Sequence, residues 1–175
     1  MSTATVILRS GVEIPLKQWQ ESYGLKPYSN QIGKHFSIGE RSISDKCKFS
    51  ELLILVMDET REQWGKSLSL NSFDRTKAKQ QELIKEGYRA AANSTHEWAL
   101  AVDIDTTSNG ETDKLVALIE QVSSKLNIKV RIGWQDYKSK GQTFVHVDVG
   151  PEYFAKGKPY YMMKFPAPWA TEARW

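Results

Sequence analysis

The chemistry in this sequence is concentrated in two short segments that carry two of its three histidines. The first, Ser-Thr-His-Glu-Trp-Ala-Leu-Ala-Val-Asp-Ile-Asp, contains His96 and Asp103, and the second, Phe-Val-His-Val-Asp-Val-Gly, contains His146 and Asp148. Two imidazoles and one carboxylate are a typical ligand set for a catalytic zinc ion that keeps a fourth position for water. The spacing alone also leaves open an ordinary role for each histidine at the surface or in a hydrogen bond.

Alternation in the second segment indicates a strand with two unlike faces. The even-numbered residues from 144 to 148 share one face, and the three valines at 145, 147 and 149 share the other. The valine face suits a hydrophobic core. The face that bears His146 and Asp148 therefore suits a functional site.

Hydrophobic periodicity predicts the elements that must position these residues. Ser50 is the expected N-cap of the helix that begins the central part of the chain, and Gly65 is expected to end it. The pattern is typical of an α+β fold, a small and mainly antiparallel sheet with helices packed on one side. The predicted strands are near Thr5 to Leu8 and at 68–72, 99–105, 129–134 and 143–149, and the predicted helices are 49–64, 76–86 and 111–126.

Length and composition favour one globular domain. The chain has 175 residues, 26% of them charged, with a formal net charge of +3, which is too small an excess for a nucleic-acid footprint. The single cysteine, Cys47, excludes an internal disulfide, and the longest apolar run, Leu52 to Met57, is too short to span a bilayer. We expect a monomer that neither binds nucleic acid nor inserts into a membrane.

Three regions differ in composition along the chain. Residues 1–34 read as an N-terminal arm, residues 35–150 as the domain that carries the site, and residues 151–175 as a tail rich in aromatic residues and proline. The tail either wraps the domain and fills gaps, or forms a wall of a substrate groove or an adhesive contact surface. Composition does not separate these two roles.

The first segment also resembles the signature of a known family. Ser94, His96, Ala101 and Asp103 match the pattern Ser-x-His-x-x-Gly-x-Ala-x-Asp, and His146 takes the place of the last ligand. This is similar to the zinc peptidases that include D-alanyl-D-alanine carboxypeptidases, D-Ala-D-Ala dipeptidases and phage L-alanyl-D-glutamate endolysins. The resemblance implies a fold of the hedgehog/DD-peptidase type.

Two upstream segments extend the resemblance. Ser72-Phe-Asp-Arg75 resembles the Ser-Gly-Tyr-Arg element of the family, and His35-Phe-Ser-Ile-Gly-Glu40 with Ser44 is similar to the opening of its carboxypeptidase-like branch. The motifs occur in the family's order over about residues 35 to 150. Several short motifs at compatible spacings are a stronger signal than any one of them.

The resemblance implies a role for each matching residue. His96, Asp103 and His146 would bind Zn²⁺, and Arg75 would hold a carboxylate of the substrate through paired hydrogen bonds. Ser94 is a further substrate-binding candidate. Its ordinary role would be to tighten the turn before His96.

Two aromatic residues between the last two predicted strands have open roles. Trp134 and Tyr137 either line a substrate groove or pack against the domain. We include Tyr137 among the substrate-binding candidates.

Two departures from the family pattern affect the expected chemistry. Ala99 replaces the signature glycine, and Thr143 stands where the dipeptidases and endolysins place a glutamate or aspartate as general base. A threonine hydroxyl does not accept a proton at neutral pH as a carboxylate does. Asp148 is the nearest substitute, either as the base or as a carboxylate that orients an imidazole. Further acidic candidates are Glu97, Asp105 and Asp136.

The resemblance therefore implies zinc-dependent hydrolysis of a peptidoglycan stem peptide, at a D-Ala-D-Ala or an L-Ala-D-Glu bond. The N-terminus shows no export signal, so we expect cytoplasmic synthesis and action on the cell wall after release, as in a phage or prophage lysis enzyme, or a place in a phage particle. A non-catalytic zinc- or peptide-binding protein of the same fold is the alternative.

Overall fold

The structure is a computed structural model that describes residues 3–40, 43, 48–87, 94–154 and 156–158. The α+β class predicted from the sequence is confirmed. The strands are β1 (Thr5–Ile7), β2 (Glu13–Pro15), β3 (Lys48–Ser50), β4 (Ser69–Ser72), β5 (Ala101–Asp105), β6 (Arg131–Gly133) and β7 (Phe144–Asp148). The helices are α1 (Leu16–Tyr23), α2 (Glu51–Trp64), α3 (Lys77–Lys85), α4 (Asn109–Leu126), α5 (Gln135–Lys138) and α6 (Gly150–Phe154), and a 3₁₀ turn spans Thr95–Trp98.

The sheet that bears the candidate residues is antiparallel throughout and has the strand order β4-β5-β7-β6. Strands β5 and β7 are its central pair, and their register places Asp103 directly opposite His146. On the other side of β7, Arg131 lies opposite Asp148. His146 and Asp148 therefore each lie opposite a charged residue on a neighbouring strand.

A second sheet of three strands, in the order β2-β1-β3, was not predicted from the sequence. β1 pairs with β2 in antiparallel fashion and with β3 in parallel, with Val6 opposite Phe49. The sequence analysis placed Phe49 in a helix, but the strand continues to Ser50 and α2 begins only at the next residue. Burial explains the difference, because Val6 and Phe49 are both fully buried.

Local signals at the helix ends act as the sequence predicts. The Ser50 hydroxyl accepts a hydrogen bond from the Leu53 amide at 3.2 Å, which satisfies a donor at the start of α2. Gly65 ends the same helix in the left-handed region, with φ of 72°. Thr76 caps α3 by accepting from the Lys79 amide.

One hydrophobic core joins the two sheets. It includes Val6 of β1, Trp19 of α1, Val102 of β5 and Val147 of β7. Residues before position 35 thus contribute side chains to the same core as the strands of the candidate site. The proposed boundaries at 34 and 150 remain a prediction.

The chain beyond β7 begins with a buried helix. In α6 the hydroxyl of Tyr153 donates a hydrogen bond to the Ile7 carbonyl at 3.1 Å, and Phe154 is also buried. This part of the predicted tail therefore packs on the domain. The later aromatic residues of the tail, and Ser44 and Cys47 upstream, lie outside the described residues. Within the described ranges, no helix is both long and apolar enough to cross a membrane.

Candidate metal centre

A tight turn before β5 positions His96. The Ser94 hydroxyl accepts a hydrogen bond from the His96 amide at 3.3 Å, and the Glu97 carboxylate accepts one from the Ser94 amide at 3.2 Å. This reciprocal pair caps the 3₁₀ turn. Ala99 ends the turn in the left-handed region, with φ of 50°. That conformation explains why a glycine suits this position of the signature.

The structure brings the three predicted metal ligands together. The Nδ1 atom of His146 lies 2.8 Å from Asp103 Oδ1, and the Nε2 atom of His96 lies 3.2 Å from Asp103 Oδ2. The two ring nitrogens are 3.3 Å apart. One ligand atom from each of the three residues lies within 4.8 Å of the others, although His96 is far from His146 in the sequence.

The other nitrogen of each ring has a hydrogen-bond acceptor beside it. His96 Nδ1 lies 2.7 Å from the carbonyl oxygen of Phe73, which only accepts, so this nitrogen carries a hydrogen. His146 Nε2 lies 3.1 Å from Asp148 Oδ2, and a hydrogen on this nitrogen leaves Nδ1 available to bind a cation. In the neutral rings, the lone pairs of His96 Nε2 and His146 Nδ1 therefore face each other beside the Asp103 carboxylate.

This arrangement of donors fits a divalent cation. Two nitrogen lone pairs and a carboxylate oxygen converge on a small volume, and all three side chains are at most 15% exposed. Without a positive charge between them the lone pairs would repel, so the cluster needs either a proton or a metal ion. Imidazole and carboxylate ligands suit Zn²⁺ and also accept other divalent ions.

The electrostatics of the metal-free cluster show the same need for positive charge. Burial disfavours the ionised form of Asp103, but the two imidazoles outweigh burial and hold the pKa of this carboxyl well below its usual range. Burial likewise opposes protonation of His146, yet its hydrogen bonds to Asp103 and Asp148 raise its pKa to about 9. A proton on His146 therefore occupies the place that a cation would take.

Asp148 is completely buried and has its carboxylate held on both oxygens. Oδ2 accepts from His146 Nε2 at 3.1 Å and from Arg131 Nε at 2.9 Å, and Oδ1 accepts from the Gly150 amide at 2.8 Å. The sequence analysis left this residue as either a base or an orienting group. Its contacts are those of an orienting group. Arg131 was missed by the sequence analysis, because only the β6–β7 register reveals its partner.

Arg75 lies beside the cluster, and its contact with a substrate carboxylate stays a prediction. Its amide donates to the His96 carbonyl at 3.0 Å, and one Nη lies 3.6 Å from Asp103 Oδ2. The guanidinium donates to the side chains of Gln80 at 2.7 Å and Ser72 at 2.8 Å. These contacts fix the plane of a group that carries five N–H donors. Gln80, which is buried, was also missed by the sequence analysis.

The remaining substrate-binding candidates, Ser94 and Tyr137, each have a contact within the protein. Ser94 is buried and its hydroxyl caps the turn that carries His96. Tyr137 packs its ring against Phe144, with centroids 4.1 Å apart, and Phe144 is on the same face of β7 as His146. Trp134 belongs to the core. A direct contact of Ser94 or Tyr137 with substrate stays a prediction.

Thr143 has a structural task at the edge of the site. Its hydroxyl donates to the Thr106 carbonyl at 2.9 Å, and its own carbonyl accepts from the Thr106 amide at 2.8 Å. The residue thus ties the ends of β5 and β7 together. A carboxylate at this position would have to give up that hydroxyl contact.

The other acidic candidates form contacts with polar groups outside the three-ligand cluster. Glu97 accepts the Ser94 amide in the cap, Asp105 accepts from Asn71 Nδ2 at 2.9 Å, and Asp136 accepts from Lys140 Nζ at 2.9 Å. Among the described residues, the hydrogen bonds of Glu97 and Asp105 do not reach the three ligand side chains. The general base stays unassigned.

Comparison with known proteins gives a distant likeness. The solved structure of the L-Ala D-Glu endopeptidase ChiX from Serratia marcescens is similar over 55% of this chain and 77% of the ChiX chain, at 16% identity and a TM-score of 0.47. No protein-family model matches the chain, and no curated protein matches it. A likeness this distant does not assign a function, which has to be argued from the residues.

Proposed function

We propose that the protein is a metal-dependent peptidase, with Zn²⁺ as the expected ion, that cleaves the stem peptide of peptidoglycan or its precursor. The observation that carries the proposal is the convergence of lone pairs from His96, Asp103 and His146 within 4.8 Å. The substrate class rests on the motifs around these residues, which resemble those of zinc peptidases of the cell wall. The net charge of +3 also suits an anionic wall.

Each side chain of the site has a role in this proposal. His96, Asp103 and His146 hold the ion, which when bound supplies a water of lowered pKa and polarises the scissile carbonyl. Asp148 keeps the His146 ring in the tautomer that leaves Nδ1 unprotonated. Arg75 binds a carboxylate of the stem peptide.

Specificity in this proposal depends on Arg75. The guanidinium is held by Gln80 and Ser72, so a carboxylate can approach it without the cost of ordering a mobile side chain. Both candidate peptide bonds lie near a free carboxylate. The stem peptide ends in the carboxylate of D-Ala, and D-Glu contributes a second free carboxylate within the peptide. The proposal covers both bonds. It also includes a role in cell-wall lysis, for example as a lysis enzyme of a phage or prophage.

A non-catalytic protein that binds metal or peptide on the same fold is the second candidate. Thr143 favours it, because this residue replaces the expected acid and its hydroxyl is engaged with the Thr106 carbonyl. Such a protein would bind Zn²⁺ through the same three ligands without turnover.

A defined stem pentapeptide, L-Ala-γ-D-Glu-L-Lys-D-Ala-D-Ala, separates these candidates. The zinc-loaded protein is incubated with it and the products are identified by mass spectrometry. Release of D-Ala indicates a carboxypeptidase, and release of L-Ala indicates an endopeptidase. We expect one of the two products from the wild type and neither from His96→Ala.

His35 offers a matched control for that experiment. Its ring lies 2.8 Å from the Glu62 carboxylate and is 28% exposed, away from the ligand cluster. His35→Ala should keep full activity. Zinc binding without any cleavage of the pentapeptide or of cell-wall material would favour the non-catalytic protein, and cleavage that survives in His96→Ala would refute the metal mechanism.

A further inference from the structure

A buried ion pair lies directly behind the candidate metal centre. Arg131 Nε donates to Asp148 Oδ2 at 2.9 Å, and the two side chains are 8% and 0% exposed. The residues are cross-strand partners in the β6–β7 pair. Neither the sequence motifs nor the family resemblance points to an arginine at this position.

The geometry connects this arginine to the His146 ring through one oxygen atom. Oδ2 of Asp148 accepts from Arg131 Nε and also from His146 Nε2, at 3.1 Å. The Gly150 amide holds the other oxygen. With both oxygens fixed, the carboxylate has one position, and the ring that donates to it has one orientation.

The energetics require a positive partner for Asp148. A carboxylate taken completely out of water is costly unless it is paired and hydrogen-bonded. When His146 binds a metal ion through Nδ1 its ring is neutral, so the backbone N–H of Gly150 and this ring supply hydrogen bonds without a compensating charge, and Arg131 supplies the charge. Loss of Arg131 would leave the carboxylate without its countercharge and with one fewer donor to set its orientation.

We propose that Arg131 is a positioning residue for the metal centre, which acts through Asp148 to keep His146 Nδ1 directed at Asp103 and His96. The inference rests on the metal-binding part of the proposed function and is independent of peptide cleavage. The two histidines then differ in how they are held. His96 donates to a backbone carbonyl, that of Phe73, so its orientation does not depend on Arg131.

The test measures metal binding, and the ring N–H signals of the metal-bound protein, at one fixed pH. Arg131→Met removes the charge and the donor but keeps an apolar side chain of similar length. We expect Zn²⁺ affinity, measured by competition with a chromophoric chelator, to fall about 10- to 100-fold. The absorption spectrum of the Co²⁺-loaded protein should change as well. ¹⁵N NMR of the Zn²⁺-loaded protein should show a changed signal for His146 Nε2–H, which donates to Asp148 in the wild type, and an unchanged signal for His96 Nδ1–H.

Two further variants separate positioning from a general effect on folding. Arg131→Lys keeps the charge and should recover part of the affinity. Arg9→Met removes another arginine that lies near a buried carboxylate, Glu152 at 3.9 Å, and should leave Zn²⁺ affinity unchanged. A merely structural role would lower the melting temperature in both methionine variants without changing the affinity of the folded protein.

A double-mutant cycle tests the route through Asp148 and covers the case in which Arg131→Met does not fold. Asp148→Asn is close in shape and should weaken Zn²⁺ binding on its own. In that background Arg131→Met leaves no buried carboxylate without a partner and should add no further loss. The proposal is overturned if Arg131→Met binds Zn²⁺ as the wild type does, if the His146 Nε2–H signal of the Zn²⁺-loaded protein does not change, or if the loss is equally large in the Asp148→Asn background. Zinc binding that follows the prediction without peptide cleavage would contradict the proposed function alone.

Discussion

Two buried carboxylates in this protein have opposite surroundings. Asp58 of α2, 4% exposed, accepts hydrogen bonds from the Tyr23 hydroxyl at 3.0 Å and from the amides of Lys34 at 2.7 Å and His35 at 3.1 Å. Asp103 of β5 instead faces one ring nitrogen of each of two imidazoles, with Arg75 as a more distant permanent cation. Burial alone does not distinguish them.

The difference lies in what the neighbours can donate. Every contact found for Asp58 comes from a fixed O–H or N–H, and burial, followed by the charge of Asp58, raises the pKa of Tyr23, which keeps that hydroxyl a donor. Asp58 therefore holds the 33–35 loop against α2 and needs no added ion. Asp103 has neighbours that become donors only by taking up a proton. A cluster of this kind is suited to binding a cation.

We expect the largest effect when Asp103 and Asp58 are each replaced by asparagine. Asp103→Asn is expected to lower Zn²⁺ affinity by more than about 100-fold, because removal of a ligand exceeds the loss from an outer partner, and to abolish peptidase activity. Asp58→Asn should leave Zn²⁺ affinity unchanged and cost about 1–3 kcal/mol in unfolding free energy, because an amide N–H would meet a backbone donor.

Thermal melting with and without Zn²⁺ measures both halves of this comparison. Zinc should raise the melting temperature of the wild type and of Asp58→Asn but not that of Asp103→Asn. An equal response to zinc in all three proteins would contradict the contrast.

A smaller change tests the loop that surrounds Asp58. A Cβ atom at Gly33 would lie 2.8 Å from both carboxylate oxygens of Asp58, and that carboxylate is held by three donors. We expect Gly33→Ala to destabilise the protein by about 1–3 kcal/mol with no change in Zn²⁺ affinity. Chemical denaturation gives the first quantity and a chelator competition the second. A loss of metal affinity would mean that the two regions are coupled.

The pH dependence of the metal-free protein should reveal the cluster at Asp103. The pKa of His146 in the folded protein, about 9, lies above its ordinary value of 6.5, so its contribution to stability is complete below pH 6.5 and is lost as the pH rises through 9. Asp103 depends on pH in the opposite direction. Its pKa in the folded protein is below the ordinary value of 3.8, so its contribution to stability is lost as the pH falls well below 3.8.

Melting temperatures in the presence of a chelator check these signs. The wild type should lose stability between about pH 6.5 and 9.5, and His146→Gln should lose less over the same interval. Zinc affinity should rise across this interval, because the ion replaces the proton. An identical decline in both proteins would assign the effect to other groups.

The smallest effect concerns the turn before β5. Ala99 adopts a positive φ of 50°, which costs an L-residue about 1–2 kcal/mol and costs glycine little. Ala99→Gly removes this strain but also removes one buried methyl group, which offsets part of the gain. We therefore expect the melting temperature to rise by up to about 2–4 °C. Ala101→Gly, in a strand two residues on, is the matched control and should lower it. A decrease in both would show that the turn is not strained.

The sequence predicted best those features that depend on local patterns. Helices α2 and α4 follow from apolar spacing, and Ser50 and Gly65 mark the ends of α2. His96 follows from the family signature, whereas Asp103 and His146 are predictable because the alternation in β5 and β7 fixes which face each side chain occupies. Their convergence then needs only that the two strands pair with Asp103 opposite His146.

Features set by long-range register were not predictable. The parallel pairing of β1 with β3 joins segments about forty residues apart and leaves no alternation in either short strand. The role of Arg131 depends on a register that the intervening loop and α5 determine. Gln80 acts by holding Arg75, which no spacing rule indicates.

A calorimetric titration of the metal-free protein with Zn²⁺ tests the central claim most directly. The account predicts one ion bound per chain in the wild type and in His35→Ala, and loss of that binding in His96→Ala and in His146→Ala. A wild-type protein that binds no Zn²⁺, or the same stoichiometry and affinity in the His96→Ala and His146→Ala variants, would contradict it.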